Sequence, residues 1–233
     1  MIRTLLKFCS IIVLIIALII CAYFEYTYWK HLDFVEKHWG TTPQMFQYSD
    51  TIRSVVWISV DGEPGSKVYP IYVWSFISPM FHMFYYHKEK LPPLFILARS
   101  AISSVDFQHV QNYANAYTHR NTVSVKEVEN TISVYLSRNW EHEELIDTYL
   151  NQSHFGRRCT GLRAAAKEYF NKDVNVLTIE EIAILCALPY GGFIQLERKP
   201  DKFLSEVNEI LLKINPDRLL TELPVSLQTK WER

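Results

Sequence analysis

Residues 145–189 read LIDTYLNQSHFGRRCTGLRAAAKEYFNKDVNVLTIEEIAILCALP, and their apolar spacing decides the fold class. Leu145, Ile146, Tyr149 and Leu150 recur at three- and four-residue intervals, as do Leu162, Ala165, Ala166 and Tyr169. Each set makes one face of a helix. Thr178, with Glu181 three residues on, is a capping box opening a further helix through Ile182, Ala183, Leu185 and Cys186. Pro189 and the pair Gly191-Gly192 stop it.

The helical period extends outward on both sides. Upstream, Val125, Val128, Ile132, Tyr135 and Leu136 form one stripe, with Lys126, Glu127, Asn130, Ser133 and Arg138 opposite. Glu129 falls on the edge of that stripe beside Leu136, so it looks partly inward. Downstream, Lys199-Pro200-Asp201 begins a last helix with Phe203, Leu204, Val207, Ile210 and Leu211 on its apolar side. Further upstream the pattern changes. Residues 52–60 (IRSVVWISV) are β-branched and alternate with period 2 before Asp61-Gly62-Glu63-Pro64-Gly65, which predicts a strand and a turn. A second hairpin strand follows through Trp74. The aromatic remainder of residues 68–86 either lies on a bilayer surface or covers the core.

The chain's start differs from all of this. Phe8 to Phe24 is an uncharged run of 17 residues, about 25 Å of helix at about 1.5 Å per residue, enough for a bilayer core if Lys7 snorkels. Arg3 and Lys7 precede it and Glu25 follows, so the N-terminus is expected in the cytoplasm and the rest outside. Tyr23, Phe24, Tyr26, Tyr28 and Trp29 make an aromatic belt at the exit. The small-x-small pattern of a cleavage site is poor after Cys21, and Ile20 is too bulky for a lipoprotein site, which favours an uncleaved signal anchor. Cys159 and Cys186 then face an oxidising space. They can pair there, or each can serve as a small buried hydrophobe.

Composition excludes several classes. The 233 residues are 48% hydrophobic and 21% charged, which is not the balance of a disordered chain. A net charge of −1 gives no electrostatic case for nucleic acid. Only 7 glycines leave little for phosphate-cradling loops, and no Gly-x-Gly-x-x-Gly, P-loop, Cys-x-x-Cys or His-Glu-x-x-His occurs. His142 among Glu141, Glu143 and Glu144 reads as a solvated helix start rather than a metal ligand. Carboxylates are left as the carriers of any chemistry, as in glycosyl transfer.

Residues 145–189 strongly resemble the C-terminal half of the family 51 glycosyltransferases, the peptidoglycan polymerases found alone or fused to transpeptidases. The family runs I-L-E-x-Y-L-N, F-G, G-x-x-x-A-A-x-x-Y-F-x-K, L-T-x-x-E-x-A-x-L and L-P. Leu145, Ile146, Tyr149, Leu150, Asn151, Phe155, Gly156, Gly161, Ala165, Tyr169, Phe170, Lys172, Leu177, Thr178, Glu181, Ala183, Leu185, Leu188 and Pro189 meet it in order. Asp147 stands where the family has Glu. Two of the few glycines, Gly156 and Gly161, fall where the chain turns tightly between packed helices. The same register upstream sets Lys126 and Glu129 on the family's R-K-x-x-E motif, whose Glu belongs to the catalytic cleft.

The resemblance implies a mostly α fold: a lysozyme-like helical glycosyltransferase domain, with a small N-terminal β-hairpin region, behind one transmembrane helix. The corresponding organisation is a cytoplasmic tail (1–7), an anchor (8–24), a juxtamembrane β-hairpin and aromatic region (25–90), the domain (91–215) and a C-terminal tail (216–233). It further implies the bacterial cytoplasmic membrane, with the domain on the extracytoplasmic side. The implied partners are the membrane, a lipid-linked disaccharide-peptide (lipid II) or glycan strand, and other cell-wall synthesis proteins. Lys126, Asn151 and Gly156 become substrate-binding candidates. No cofactor is implied, and the sequence gives no support to a divalent metal. With no transpeptidase after residue 215, the expectation is a stand-alone form.

The family's first motif, E-D-x-x-F, carries the Glu thought to act as general base. Its best match, Ala98 to Phe107, puts Ser103 and Ser104 on the Glu-Asp pair. No Glu occurs between Glu89 and Glu127, and Asp106 is the only carboxylate from Leu91 to Val125. The G-G-S-T-I-T-Q-Q motif is missing as well. Two readings follow. One is a binding or scaffolding protein with reduced or no activity. The other is an active transferase using Asp106 and Glu129.

Overall fold

The computed structural model describes residues 2–40, 45–65, 70–72, 75, 92–100, 112–113 and 125–228, the side chains of 2–10, 13, 95, 99, 100, 190 and 228 excepted. Its helices are α1 (Ile2–Lys30), α2 (Leu32–Trp39), α3 (Asp50–Ser59), α4 (Pro93–Ser100), α5 (Val125–Asn139) and α6 (His142–Gln152). They continue as α7 (Leu162–Phe170), α8 (Ile179–Ala187), α9 (Gly192–Arg198), α10 (Pro200–Ile214) and α11 (Val225–Gln228). Among the described residues there is no strand, only an isolated antiparallel bridge between His154 and Thr160.

Two apolar clusters share α6. Ile146, Tyr149 and Leu150 point into a large core with α3, α7, α8 and α10, built on Val56, Leu162, Ala165, Ile182, Leu185, Phe203 and Val207. Leu145 points instead into a smaller core with Val35, Trp39, Ile71, Val128, Ile132 and Leu136. This division follows from the helical period: residues one apart on α6 are about 100° apart and serve different faces. The large core draws on Val55 and Val56 as well as Leu223 and Leu227, so α3 and the C-terminal end of the described chain both close over it.

The predicted strand at 52–60 is instead a helix, α3. Alternation would bury Ser54 and expose Val55; the structure exposes Ser54 and buries Ile52, Val55, Val56 and Ile58. Ser49 caps the helix by accepting from the Ile52 N–H. Arg53, one turn in, forks onto Asp147 of α6 with Nε–Oδ1 at 3.0 Å and Nη2–Oδ2 at 2.6 Å. Intrinsic β-preference is weak enough for such packing to override it. Of the second expected strand, 70–72 are described and form no strand; its remaining residues, and the aromatic stretch 76–91, lie outside the described residues. Ile71 is buried, donating its N–H to Ser137 Oγ and accepting from Arg138 Nε.

The other helical expectations correspond to elements. Glu181 closes the α8 capping box from Thr178, and its second oxygen takes Lys172 Nζ at 2.7 Å. After α8 the chain passes a short 3₁₀ turn and resumes as α9, a helix the Pro-Gly-Gly stop signal conceals. The loop from α6 to α7 needs its glycines. Gly156 (φ +78°) would drive a Cβ to 2.6 Å from Phe193 Cβ, and Gly161 (φ +87°) would place one 3.0 Å from the Asn151 carbonyl. Cys159 and Cys186 are free thiols, and burial pushes Cys186 up to about 12.

Helix α1 extends for 29 residues. Among the described residues no single helix is long and apolar enough to cross a membrane; the α1 side chains described are Ile11, Ile12 and 14–30.

The Arg53–Asp147 fork generates a stability prediction. Asp147→Ala strands Arg53 and the Tyr48 N–H that also uses the carboxylate. Removing one partner of such a pair should cost on the order of 3 kcal/mol. A thermal melt should show the midpoint falling by roughly 6–12 °C, at about 2–4 °C per kcal/mol for a chain this size. Asp147→Asn, which keeps one acceptor, should fall less.

Candidate functional site

The motif helix α5 has one face in the smaller core, through Val128, Ile132, Tyr135 and Leu136. Its polar side meets the end of α1. Thr131 Oγ1 lies 3.0 Å from the Glu127 carbonyl and 3.4 Å from the Thr27 carbonyl, one hydroxyl shared between two acceptors. Glu127 Oε1 takes Lys30 Nζ at 3.1 Å and His31 Nε2 at 3.4 Å. His31 is wholly buried, and its Nδ1 is 3.1 Å from Tyr113 Oη. The Tyr113 ring stacks on Phe34 at 3.8 Å. Burial holds the His31 imidazole below its ordinary pKa, against the opposing pull of the Glu127 hydrogen bond and in concert with the nearby Lys30 charge.

At the other end of α5, Arg138 clamps three segments. Its guanidinium forks onto Glu25 of α1 at 2.8 and 3.3 Å and donates Nε to the Ile71 carbonyl. It lies 4.4 Å from the Tyr28 ring centroid and 4.5 Å from that of Tyr72. Planar, multiply donating and stacked on two rings, this is a site only Arg can fill.

Beside these ties α1 and α5 leave an open groove of about 350 Å³. Ile20, Tyr23 and Phe24 wall one side; Lys126, Asn130 and Val134 wall the other. Lys126 is exposed and makes no ion pair among the described residues. Glu129 is half-buried on the same helix and lies outside the groove lining; its carbonyl accepts from Ser133 Oγ. Asp106, with Ser103 and Ser104, lies outside the described residues.

The remaining candidates sit elsewhere. Asn151 donates from Nδ2 to the carbonyls of Phe46 (2.9 Å) and Asp147 (2.7 Å), while its Oδ1 accepts from Tyr48 Oη at 3.4 Å. Its amide thus ties α6 to the 46–48 segment. Gly156 turns the α6–α7 loop. Neither lines the groove. Among the described residues no three His, Cys, Asp or Glu side chains are placed to hold a metal. Sequence reasoning missed both ties, Glu127 with Lys30 and His31, and Arg138 with Glu25. The pairs lie 96 to 113 positions apart, and no local spacing signals them.

A family model described as transglycosylase matches residues 99–215, half of the chain. The chain belongs to the transglycosylase family. It is 39% identical over 105 residues to penicillin-binding protein 1A of Rickettsia prowazekii, covering 45% of this chain and 13% of that protein. Against penicillin-binding protein 1A of Rickettsia bellii the figures are 30% over 162 residues, 64% of this chain and 19% of the relative. Penicillin-binding protein 1F of Bacillus subtilis is 42% identical over 72 residues, 31% of this chain and 10% of that protein. The chain thus spans less than a fifth of the length of these curated relatives. The transglycosylase match includes α5, one wall of the groove; the other wall, on α1, precedes it.

The buried imidazole makes stability pH-dependent. His31 has a folded pKa below the ordinary 6.5, so below that pH the unfolded chain takes up more protons than the folded one. Stability is therefore fully present above about 6.5 and declines as pH falls toward the lowered folded value. Melts recorded from pH 7.5 down to 5 should show this decline, and His31→Gln should flatten it. Among the described residues, Lys30, Glu127 and Tyr113 are titratable groups close to the ring.

Proposed function

We propose that this chain is a single-pass bacterial cell-envelope protein of the cytoplasmic membrane, N-terminus inside. Its transglycosylase domain, on the extracytoplasmic side, binds lipid II or a glycan strand and polymerises it weakly or not at all. In this reading it serves as a binding or scaffolding protein beside other cell-wall synthesis proteins. The observation that carries it is the missing base: within the matched span, Ser103 and Ser104 stand where the family has Glu-Asp, and Asp106 is the only carboxylate before Val125.

The chemistry explains why that matters. Attack by a sugar hydroxyl needs a group that accepts its proton in the transition state. A serine has no basic form at neutral pH unless a neighbour activates it. An aspartate three residues on is shorter and displaced, and a misplacement of about 1 Å can cost roughly 100-fold in rate. The C-terminal half, by contrast, keeps the helices and turns of a binding scaffold.

Membrane attachment is supported by the uncharged run at 8–24, the basic residues ahead of it, and the exposure of α1. Ile11, Ile12, Leu14, Ile15, Ile16, Leu18, Ile19 and Ile20 are all about half exposed or more, on every side of the helix. A helix apolar all round and uncovered by protein suits lipid better than water.

Purified full-length protein given lipid II in detergent or vesicles should bind it yet yield no glycan ladder on a gel. A ladder abolished by Asp106→Asn or Glu129→Gln would establish the active alternative instead.

A further inference from the structure

We propose that the tie of Lys30 and His31 to Glu127 is a proton-operated latch: when His31 takes up a proton, the end of α1 lets go of α5 and pivots about the Arg138–Glu25 fork. The latch concerns how the domain is held on α1, and it does not depend on what α1 is embedded in.

Hydrogen-bond chemistry fixes which proton is already present. The Glu127 carboxylate can only accept, so His31 Nε2, 3.4 Å away, carries the proton and Nδ1 keeps its lone pair. That lone pair takes the Tyr113 O–H at 3.1 Å. A second proton, placed on Nδ1, meets the hydroxyl's own hydrogen and forces Tyr113 to turn its O–H away.

Charge sets the direction of the response. The His31 side chain is wholly enclosed, and Lys30 Nζ sits 3.1 Å from the same Glu127 oxygen. With a neutral imidazole, the lysine and the carboxylate cancel. An imidazolium puts two cations on one oxygen and leaves an uncompensated positive charge in a closed site. Among the described residues, the charged neighbours do not offset it. On α5, Lys126 is positive and Glu129 lies about 200° round the helix from Glu127. On α2, Asp33, Glu36, Lys37 and His38 are all exposed to solvent. Burial accordingly holds the imidazole below its ordinary pKa, with the Glu127 hydrogen bond opposing and Lys30 adding to the effect. The other tie contains no imidazole. Arg138 grips Glu25 at 2.8 Å and lies over the Tyr28 and Tyr72 rings, so it stays as the pivot.

The test measures a distance by pulsed electron resonance in the detergent-purified full chain. Spin labels on ketone-bearing residues replace Tyr26 of α1 and Ser205 of α10, both exposed, and the native cysteines remain. A control pair replaces Ser54 of α3 and Ser205, both on helices of the large core. At pH 7.5 each pair should give one narrow distance. By pH 5 the α1 pair should broaden into a second population, with its midpoint below about 6.5, while the control stays narrow. His31→Gln, which keeps a donor for Glu127 and an acceptor for Tyr113, should hold the α1 pair narrow throughout. Lys30→Gln lets Glu127 neutralise the imidazolium, so opening should move to lower pH by roughly one unit, a tenfold change in proton affinity. That variant keeps the imidazole and carries the test even if His31→Gln does not fold. An α1 distance unchanged down to pH 5 overturns the latch. So does equal broadening of the control pair, which is general unfolding, or opening that persists in His31→Gln or is unmoved in Lys30→Gln.

Discussion

The carboxylate of Asp147 holds the large core together. It receives a two-pronged guanidinium from Arg53 and the backbone N–H of Tyr48, with only 8% of its own side chain exposed. A buried charge is tolerable only when its lone pairs are answered, and here three donors answer them. That bond adds a directional tie to the apolar face that α3 buries against α6. With it, Ile52, Val55 and Val56 are delivered to the face that α6, α8 and α10 complete. Asn151, one turn further along α6, repeats the device by holding the Phe46 carbonyl. Chain from the N-terminal side thus becomes a structural part of a domain whose family match begins only at residue 99.

A second set of charges joins α1 to the domain. Arg138 with Glu25, and Lys30 and His31 with Glu127, tie the same pair of helices at two heights. Exposed ion pairs are individually weak, yet these carry stacked rings and a wholly buried imidazole, and two ties fix an angle where one would leave a hinge. Helix α1 therefore leaves the domain in a set direction and does not act as a loose tether.

What the sequence made legible follows from the range of each interaction. Helices α5 to α8 and α10 were readable because their signals are local: apolar spacing of three and four, a capping box at Thr178 and Glu181, and glycines where φ is positive. Helix α3 was misread because its β-branched residues satisfy both periods over nine positions. Only Arg53 reaching residue 147, and Val55 rather than Ser54 facing inward, decide between them. Helix α9 was hidden behind a stop signal that ends one helix without forbidding another. The site was partly visible: the register placed Lys126 and Glu129 on one helix. Glu127 as a junction, and Asn151 as a tie between α6 and the 46–48 segment, depend on partners about a hundred positions away.

The two glutamates of α5 show how much partners matter to function. Glu127 and Glu129 are both glutamates, two residues apart on α5, within the transglycosylase match. Glu127 Oε1 is already shared by a lysine and a histidine, so taking a proton from a sugar hydroxyl would break the tie that positions α1. Its place in the fold makes it a structural junction between α1 and α5. Glu129 lies outside the groove, partly turned toward the core. Of these two carboxylates, the geometry commits the one on Glu127 to holding helices together.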